Sequence, residues 1–509
     1  MIEDGRDIPT GTVKSTQVCV IGSGIAGVTA AWELQKAGFR VILLEGSRQY
    51  DTYEASWKDK YLLYKGVAEG LFTDNERDFL VLPYVNHDHP AWERERTYGG
   101  TGSHWGGQSR PHDPVDFEPR ENFPGWPINL TQLNDYYARA STLSMLHGDW
   151  KPNGYNFSKA YWESQLEVKA PALEGFDVEM YQFIGPNFRN FATRQFDDGS
   201  KDGKTIGETS VDVIRNASLL EINQQTGRVT SLKVASMDTS DTPRKATTFT
   251  VKADAFVLAC GAVENARLML LSEIGNEHGQ VGLYFMCHPL IQNQFIFTNA
   301  YLPQAQSNYM GGKDKNGNPW SDTNNVRCNA RFIPNREETK KRGIGRCWFW
   351  YHFGQYYFEM SPTKNSYVTL TDKDDKDHYD TVFDQRQTRI HWELNDKVDK
   401  QTYEQTTSMY VEAIKVYGGK LLDPLPSFEN LTNLWTVNGH HLGTTRMSTD
   451  PADGVVDINS KVHSLQNFFV AGSSVFPTAC ISNPTFTIIA LAIRLADFIR
   501  DQFHDGRLG

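Results

Sequence analysis

The chain has 509 residues, 39% hydrophobic and 22% charged, with a formal net charge of −11 from 51 basic and 62 acidic side chains. That length exceeds one ordinary core and predicts more than one domain. The acidic balance, with no basic cluster, excludes a nucleic-acid partner. Six cysteines without CxxC spacing exclude a disulfide framework and a structural zinc site, so no metal is expected.

No run of about 18 apolar residues occurs, so no membrane span is expected. Met1 to Thr16 is polar and lacks an apolar leader core, which predicts a cytoplasmic protein unless an export signal was removed or is borne by a partner. Gln17 to Ile21 reads as a buried strand and Val28 to Ala37 as a helix, with Arg40 to Leu44 a second strand. Between them lies Gly22-Ser23-Gly24-Ile25-Ala26-Gly27. Gly22 makes the turn, Gly24 lets the backbone approach a pyrophosphate, and Gly27 lets helix and strand pack closely. Glu45 is placed to accept from a ribose hydroxyl. This is a dinucleotide fingerprint in its βαβ setting, and the helix start favours phosphate.

A helix is expected near Ala55 to Gly70. Tyr98 to Gly107 holds five glycines and implies backbone pressed against something flat. Asn129 to Ser144 reads as a helix with Thr131 as its cap. Val211 to Leu232 reads as two strands around a Thr226-Gly227 turn. Ala255 to Leu258 reads as a buried strand ending at Gly261, with a helix from Glu264 to Leu271. Further on, strands are expected at Cys347 to Phe353, Ser366 to Thr371 and Thr388 to Leu394, with a helix at Asp396 to Val416. Gly472 follows a strand at Phe468 to Ala471, and Asn483-Pro484 reads as cap and first residue of the last helix.

With the Gly22-x-Gly24-x-x-Gly27 fingerprint, the Gly99-Gly100-Thr101 loop, the Leu258 to Arg267 run, the Gly439-His440 block and Asn483-Pro484 on the page, the chain resembles the glucose-methanol-choline (GMC) oxidoreductases. Ser103-His104-Trp105 points to the pyranose oxidase branch and bacterial sugar or glycoside oxidoreductases. The resemblance implies a mixed α/β fold in which a Rossmann-like FAD domain is interleaved with a substrate domain on an antiparallel sheet. The expected division is 1–48, 205–300 and 438–509 for the FAD domain and 301–437 for the substrate domain. Residues 97–125 form a flavin-contacting loop, and 49–96 and 126–204 lie on the substrate side.

The resemblance also implies oxidation of an alcohol, with hydride passing to the flavin. Counting from Arg446-Met447 assigns the base to His440, and Asn483 falls on its partner position. Gly22, Gly24, Gly27, Glu45, Gly100, Thr101, His104, Trp105, Gly106, Gly261, Gly472 and Thr485 are the expected FAD contacts. His104 is either joined covalently to the flavin or packed beside it, the second being preferred. His441 lines the site or points away. Trp348, Trp350, His352 and Gln355 are candidates for stacking on and bonding a sugar ring, against a plain β-domain core. The expected reaction is oxidation of a secondary ring hydroxyl of a sugar or glycoside, with oxygen or another electron acceptor as second substrate. A non-sugar alcohol, a flavin-bearing lyase, a catalytically silent flavoprotein and a flavin monooxygenase are the alternatives.

Overall fold

The computed structural model describes residues 1–46, 97–103, 105–150, 155–166, 172–184, 190–197, 199, 203–236, 247–291, 297–298, 327–350, 355–374, 383–421, 424–429, 435–437 and 439–509. The expected helix at 55–70, His104 and His352 lie outside these residues.

One sheet has eight strands. Its order is Ile2–Asp4, Asp212–Arg215, Val41–Leu44, Val13–Ile21, Thr248–Leu258, Arg228–Ser236 and Ala217–Gln225. The first five are parallel, and the last two add an antiparallel hairpin. Thr248–Leu258 shares one edge between two partners: its start pairs with Arg228–Ser236 and its end, in parallel, with Phe468–Val470. Val18, Cys19, Val20 and Ile21 are all buried, as expected of a central parallel strand covered on both faces. The hairpin turns at Thr226-Gly227 as expected, both with positive φ.

The fingerprint helix spans Ile25–Lys36 and starts at the glycine turn itself, three residues earlier than the apolar pattern suggested. Thr485–His504 packs against it and, in turn, against Leu130–Leu143. Arg139 joins all three, its guanidinium 2.5 Å from Glu33 and 2.5 Å from Asp497. Asn129, not Thr131, caps Leu130–Leu143. Asn129 has extended backbone angles, its side chain accepts from Gln132 N–H at 3.0 Å and its own N–H donates to Gln132 Oε1 at 2.9 Å, whereas Thr131 is already helical.

A second sheet is antiparallel and seven-stranded. Its order is Trp435–Val437, Pro289–Ile291, Gln355–Phe358, Cys347–Trp350, Arg327–Pro334, Phe176–Phe183 and Gln108–Ser109. Side chains alternate across it. Val178, Phe332, Phe349 and Tyr356 pack with Tyr403 and Tyr410 of the helix Val398–Ile414. Tyr181, Ile333, Trp348, Trp350 and Tyr357 face the other way, toward Ile481. The aromatic run is therefore both a core and a wall. The strand is described over Cys347–Trp350, and the rest of the expected run, to Phe353, lies outside the described residues.

A buried ion pair fastens this sheet to the C-terminal segment. Arg120 Nη2 lies 3.0 Å from both oxygens of Glu359. The same carboxylate accepts from Arg346 N–H and Cys480 N–H, each at 3.0 Å. Removing one member of such a pair leaves an uncompensated buried charge. Glu359→Ala is expected to lower unfolding free energy by about 3–5 kcal/mol, read from denaturant midpoints. A change under about 1 kcal/mol would show that the pair does not hold the segment.

Candidate active site

Three turns meet at the carboxyl edge of the parallel strands. Ile21 pairs with Leu258, and Leu258 with Val470, so Gly22, Cys260-Gly261 and Gly472 stand at one level. Gly22 has φ 99°, and a Cβ there would lie 2.5 Å from the Ala259 carbonyl oxygen; one on Gly27 would lie 1.9 Å from the Gly22 carbonyl oxygen. Around Gly24 and Gly261 a Cβ would meet nothing within 4 Å. The helices Ile25–Lys36 and Ala262–Leu271 that begin here have no side-chain cap, so their first N–H groups face this open space.

The glycine loop presses on the same place. Gly99 N–H donates to Ser23 Oγ at 2.9 Å, and a Cβ on Gly100 would come 3.4 Å from Gly24 Cα. Thr101 and Gly106 are exposed and Trp105 is half-buried. Glu45 is buried, and its Oε2 accepts from Ser23 N–H at 3.0 Å and Ser23 Oγ at 2.5 Å. It therefore braces the fingerprint turn, a task the spacing alone did not reveal. Asn265 was not singled out in the sequence either. It accepts from Cys260 N–H at 2.8 Å and donates to Ala471 O and Ser474 Oγ, tying two of the three turns together. Bare backbone, uncapped helix starts and unfilled space are what a dinucleotide pyrophosphate requires, and these residues fit FAD.

His440 is brought to the second sheet by a two-way backbone pairing of Leu442 with Met286. Its Nδ1 lies 2.5 Å from Tyr357 Oη and 3.1 Å from His288 Nδ1. His288 Nε2 lies 3.1 Å from the Ala479 carbonyl oxygen and 3.0 Å from that of Cys480. Burial, then the neighbouring His288 and His441, hold His440 well below the usual histidine range. Burial pushes His288 down to about 4, against the two carbonyls. Among the described residues none bonds His440 Nε2.

Asn483 stands three residues beyond Cys480, itself in a left-handed conformation with φ 56°. The Asn483 side chain makes no cap bond to the last helix. That helix spans Thr485–His504, the cap residue is Pro484, and the first turn closes from Ile488 N–H to the Pro484 carbonyl. Pro484 already has helical angles, the geometry of a first helical residue, and no side chain caps the helix. Asn483 Oδ1 is buried and, among the described residues, has no hydrogen-bond partner. His441 turns to Phe285, ring centroids 5.4 Å apart, and its carbonyl accepts from Ser473 Oγ.

The wall beside His440 is aromatic. Trp348 stacks on Tyr357 at 4.5 Å and 13°. Gln355 pairs in register with Trp350 and is half-buried. Over this wall lies Arg331, which the sequence reading missed. Its guanidinium carbon is 4.2 Å from the Tyr181 ring, 4.0 Å from Trp348 and 4.6 Å from Trp350. It donates to Gln108 Oε1 at 2.7 Å, while its Nε and Nη1 have no partner among the described residues. Burial pushes its pKa down to about 10. The available signal was alternation: Arg327, Asn329 and Arg331 are polar in a strand whose other residues are apolar.

Two further features lie near. A cavity of about 440 Å³ is lined by Arg110, His112, Asp113, Trp150 and Glu179 and does not include His440 or Asn483. His112, Asp116 and Cys480 are the one group of ligand-type side chains clustered among the described residues, and Arg346 Nε stands 4.0 Å from Asp116, opposing a cation there.

Burial holds His112 at about 3, His288 at about 4 and His440 well below 6.5. The folded chain therefore binds fewer protons at these sites than the unfolded chain. Their contribution to stability is fully present above about pH 6.5 and is lost as pH falls toward the folded values. Denaturant midpoints are expected to drop between pH 7 and 4. His288→Gln should flatten part of that slope, and an unchanged slope would show that His288 does not contribute.

Comparison with known proteins was made on this geometry. Models described as GMC oxidoreductase match residues 204–290 and 362–492, and one described as FAD dependent oxidoreductase matches 17–148. The 2-methyl-1,2-propanediol dehydrogenase of Mycolicibacterium austroafricanum is 24% identical over 97% of each chain. The C-glycoside 3-oxidase of Arthrobacter globiformis is 35% identical over 22% of this chain and 21% of that one. Pyridoxine 4-oxidase from Mesorbium loti superposes with a TM-score of 0.59 at 16% identity, covering 96% of this chain and 99% of the other, which shows a shared fold.

Proposed function

This chain is an FAD-dependent oxidoreductase carrying the N- and C-terminal domains of the GMC oxidoreductases, and from that premise we propose that it oxidises a secondary ring hydroxyl of a sugar or glycoside to a ketone. The observations that support the proposal are a histidine whose Nε2 is unbonded among the described residues and, three residues beyond the carbonyl that holds its neighbour His288, an asparagine whose carbonyl oxygen is buried and, among the same residues, unpartnered. His440 stands by an aromatic wall suited to the C–H face of a pyranose ring. The C-glycoside 3-oxidase similarity supports the same reading.

FAD, held by Gly22, Gly24, Gly27, Gly100, Gly261 and Gly472, supplies hydride acceptance when bound. Thr485, at the start of the last helix and without a side-chain cap, would offer its N–H to that group when it is bound. His440 Nε2 takes the proton of the substrate hydroxyl, and Asn483 fixes that hydroxyl's direction. His440 is neutral at pH 7, so it is ready to accept. Trp348, Trp350 and Gln355 orient the ring, and Arg331 places a positive charge along the wall.

The second reading is a non-sugar alcohol or polyol, favoured by the full-length similarity to a diol dehydrogenase. Anaerobic mixing of the FAD-loaded enzyme with free sugars, O- and C-glycosides and short diols decides between them. Bleaching of the flavin by a sugar or glycoside, with a ketone mapped in the product, is the expected result. Bleaching by diols alone selects the second reading, and bleaching by NADPH without an alcohol overturns both.

A further inference from the structure

We infer that His288 is a positioning residue that fixes the tautomer of His440 and so makes Nε2 of His440 the atom that accepts the proton. The tautomer follows from geometry alone, and its catalytic consequence rests on the reading of His440 as base.

A neutral imidazole carries one N–H. His288 is fully buried, and its Nε2 lies within hydrogen-bond distance of two carbonyl oxygens, those of Ala479 and Cys480. Carbonyl oxygens only accept, so the single hydrogen of His288 sits on Nε2. Its Nδ1 is then a lone pair, and 3.1 Å away is Nδ1 of His440. Two lone pairs at that separation repel, so the hydrogen between them belongs to His440. Tyr357 Oη, at 2.5 Å, shares it as a second acceptor.

The alternative has Tyr357 donate to a bare His440 Nδ1. It gains one hydrogen bond but leaves two nitrogen lone pairs facing each other in a dry site, where an unmet polar contact costs most. A doubly protonated His288 would also supply a hydrogen. Full burial without a facing carboxylate disfavours that charge, and its pKa of about 4 agrees. With one hydrogen on Nδ1, His440 presents its remaining lone pair at Nε2.

The consequence is a charge-neutral support for the base. As the alcohol is oxidised, its O–H bond breaks and an Nε2–H bond forms, while the carbon loses hydride to FAD. The imidazolium that results directs its Nδ1–H at two acceptors already in place, His288 and Tyr357. A buried carboxylate commonly fills this position behind a catalytic histidine. Here the supporting groups carry no charge, so His440 stays weakly basic and gives its proton up readily.

Two measurements test the inference on the FAD-loaded enzyme. Proton–nitrogen correlation spectra of protein with ¹⁵N-labelled histidine, assigned with His288→Asn and His440→Gln variants, report each ring's tautomer without any substrate. The expected result is N–H at Nε2 of His288 and at Nδ1 of His440; a hydrogen on Nε2 of His440 overturns the inference. The second measurement is the rate of flavin reduction at saturating substrate. His288→Asn can place an amide oxygen near the lost Nδ1, whereas His288→Gln reaches the carbonyls but offers no acceptor there. The expected losses are within about tenfold for Asn and about a hundredfold for Gln, in rate and not in KM. Equal losses would mean that His288 only fills space. If no alcohol bleaches the flavin, the functional proposal fails, and the spectra still decide the tautomer.

Discussion

His440→Ala is expected to slow flavin reduction by about a hundredfold or more at saturating substrate, because a positioned base contributes about 10²–10⁴ to such steps. The loss should appear in rate, since the wall of Trp348, Trp350 and Gln355 is left intact. The pH dependence gives a sharper test. A base acts when unprotonated, and burial holds His440 well below the ordinary range. The wild-type rate should therefore stay level from pH 8 down past 6.5 and fall only in more acidic solution. His440→Gln should lose that acid limb together with the rate. Stopped-flow flavin bleaching across pH is the measurement, and a variant within threefold of wild type removes His440 from the mechanism.

Gly27→Ala is expected to yield protein with little or no bound FAD. The added carbon would lie 1.9 Å from the Gly22 carbonyl oxygen, which is backbone and belongs to the turn that faces the pyrophosphate. Neither partner can swing aside as a side-chain end would. The helix Ile25–Lys36 must lift from the strand, and its first N–H groups leave their aim. Overpacking alone costs about 1–3 kcal/mol, and loss of a bound cofactor adds to it. The ratio of flavin to protein absorbance reads the first effect and the thermal midpoint the second. A variant that purifies with a full complement of flavin would show that close packing at Gly27 is not required.

The glycines were legible because one backbone geometry satisfies both a tight turn and a pyrophosphate, so residue type and spacing carry the information. The aromatic run was half legible: alternation separated Trp348 and Trp350 from Phe349, but not which side was core. His288 was not legible. Its meaning depends on a partner 152 residues away and on carbonyls of a segment more distant still. Asn265 and Arg331 were hidden for the same reason, since each acts across elements that only the fold brings together. Asn483 was expected to cap its helix, but its side-chain oxygen makes no cap bond, which residue type and position could not tell.

The strand Phe468–Val470 completes the edge of Thr248–Leu258, and the residues after it supply the third glycine turn and the helix that lies against Ile25–Lys36. Ribosomes deliver a chain from its N-terminus, so the fingerprint is made first and its enclosure last. While the final segment is still unsynthesised, Phe256, Val257 and Leu258 present an unpaired apolar edge, the kind of surface that chaperones cover and that aggregates exploit. Cofactor loading is thus expected to wait until the third glycine turn and its helix have been made.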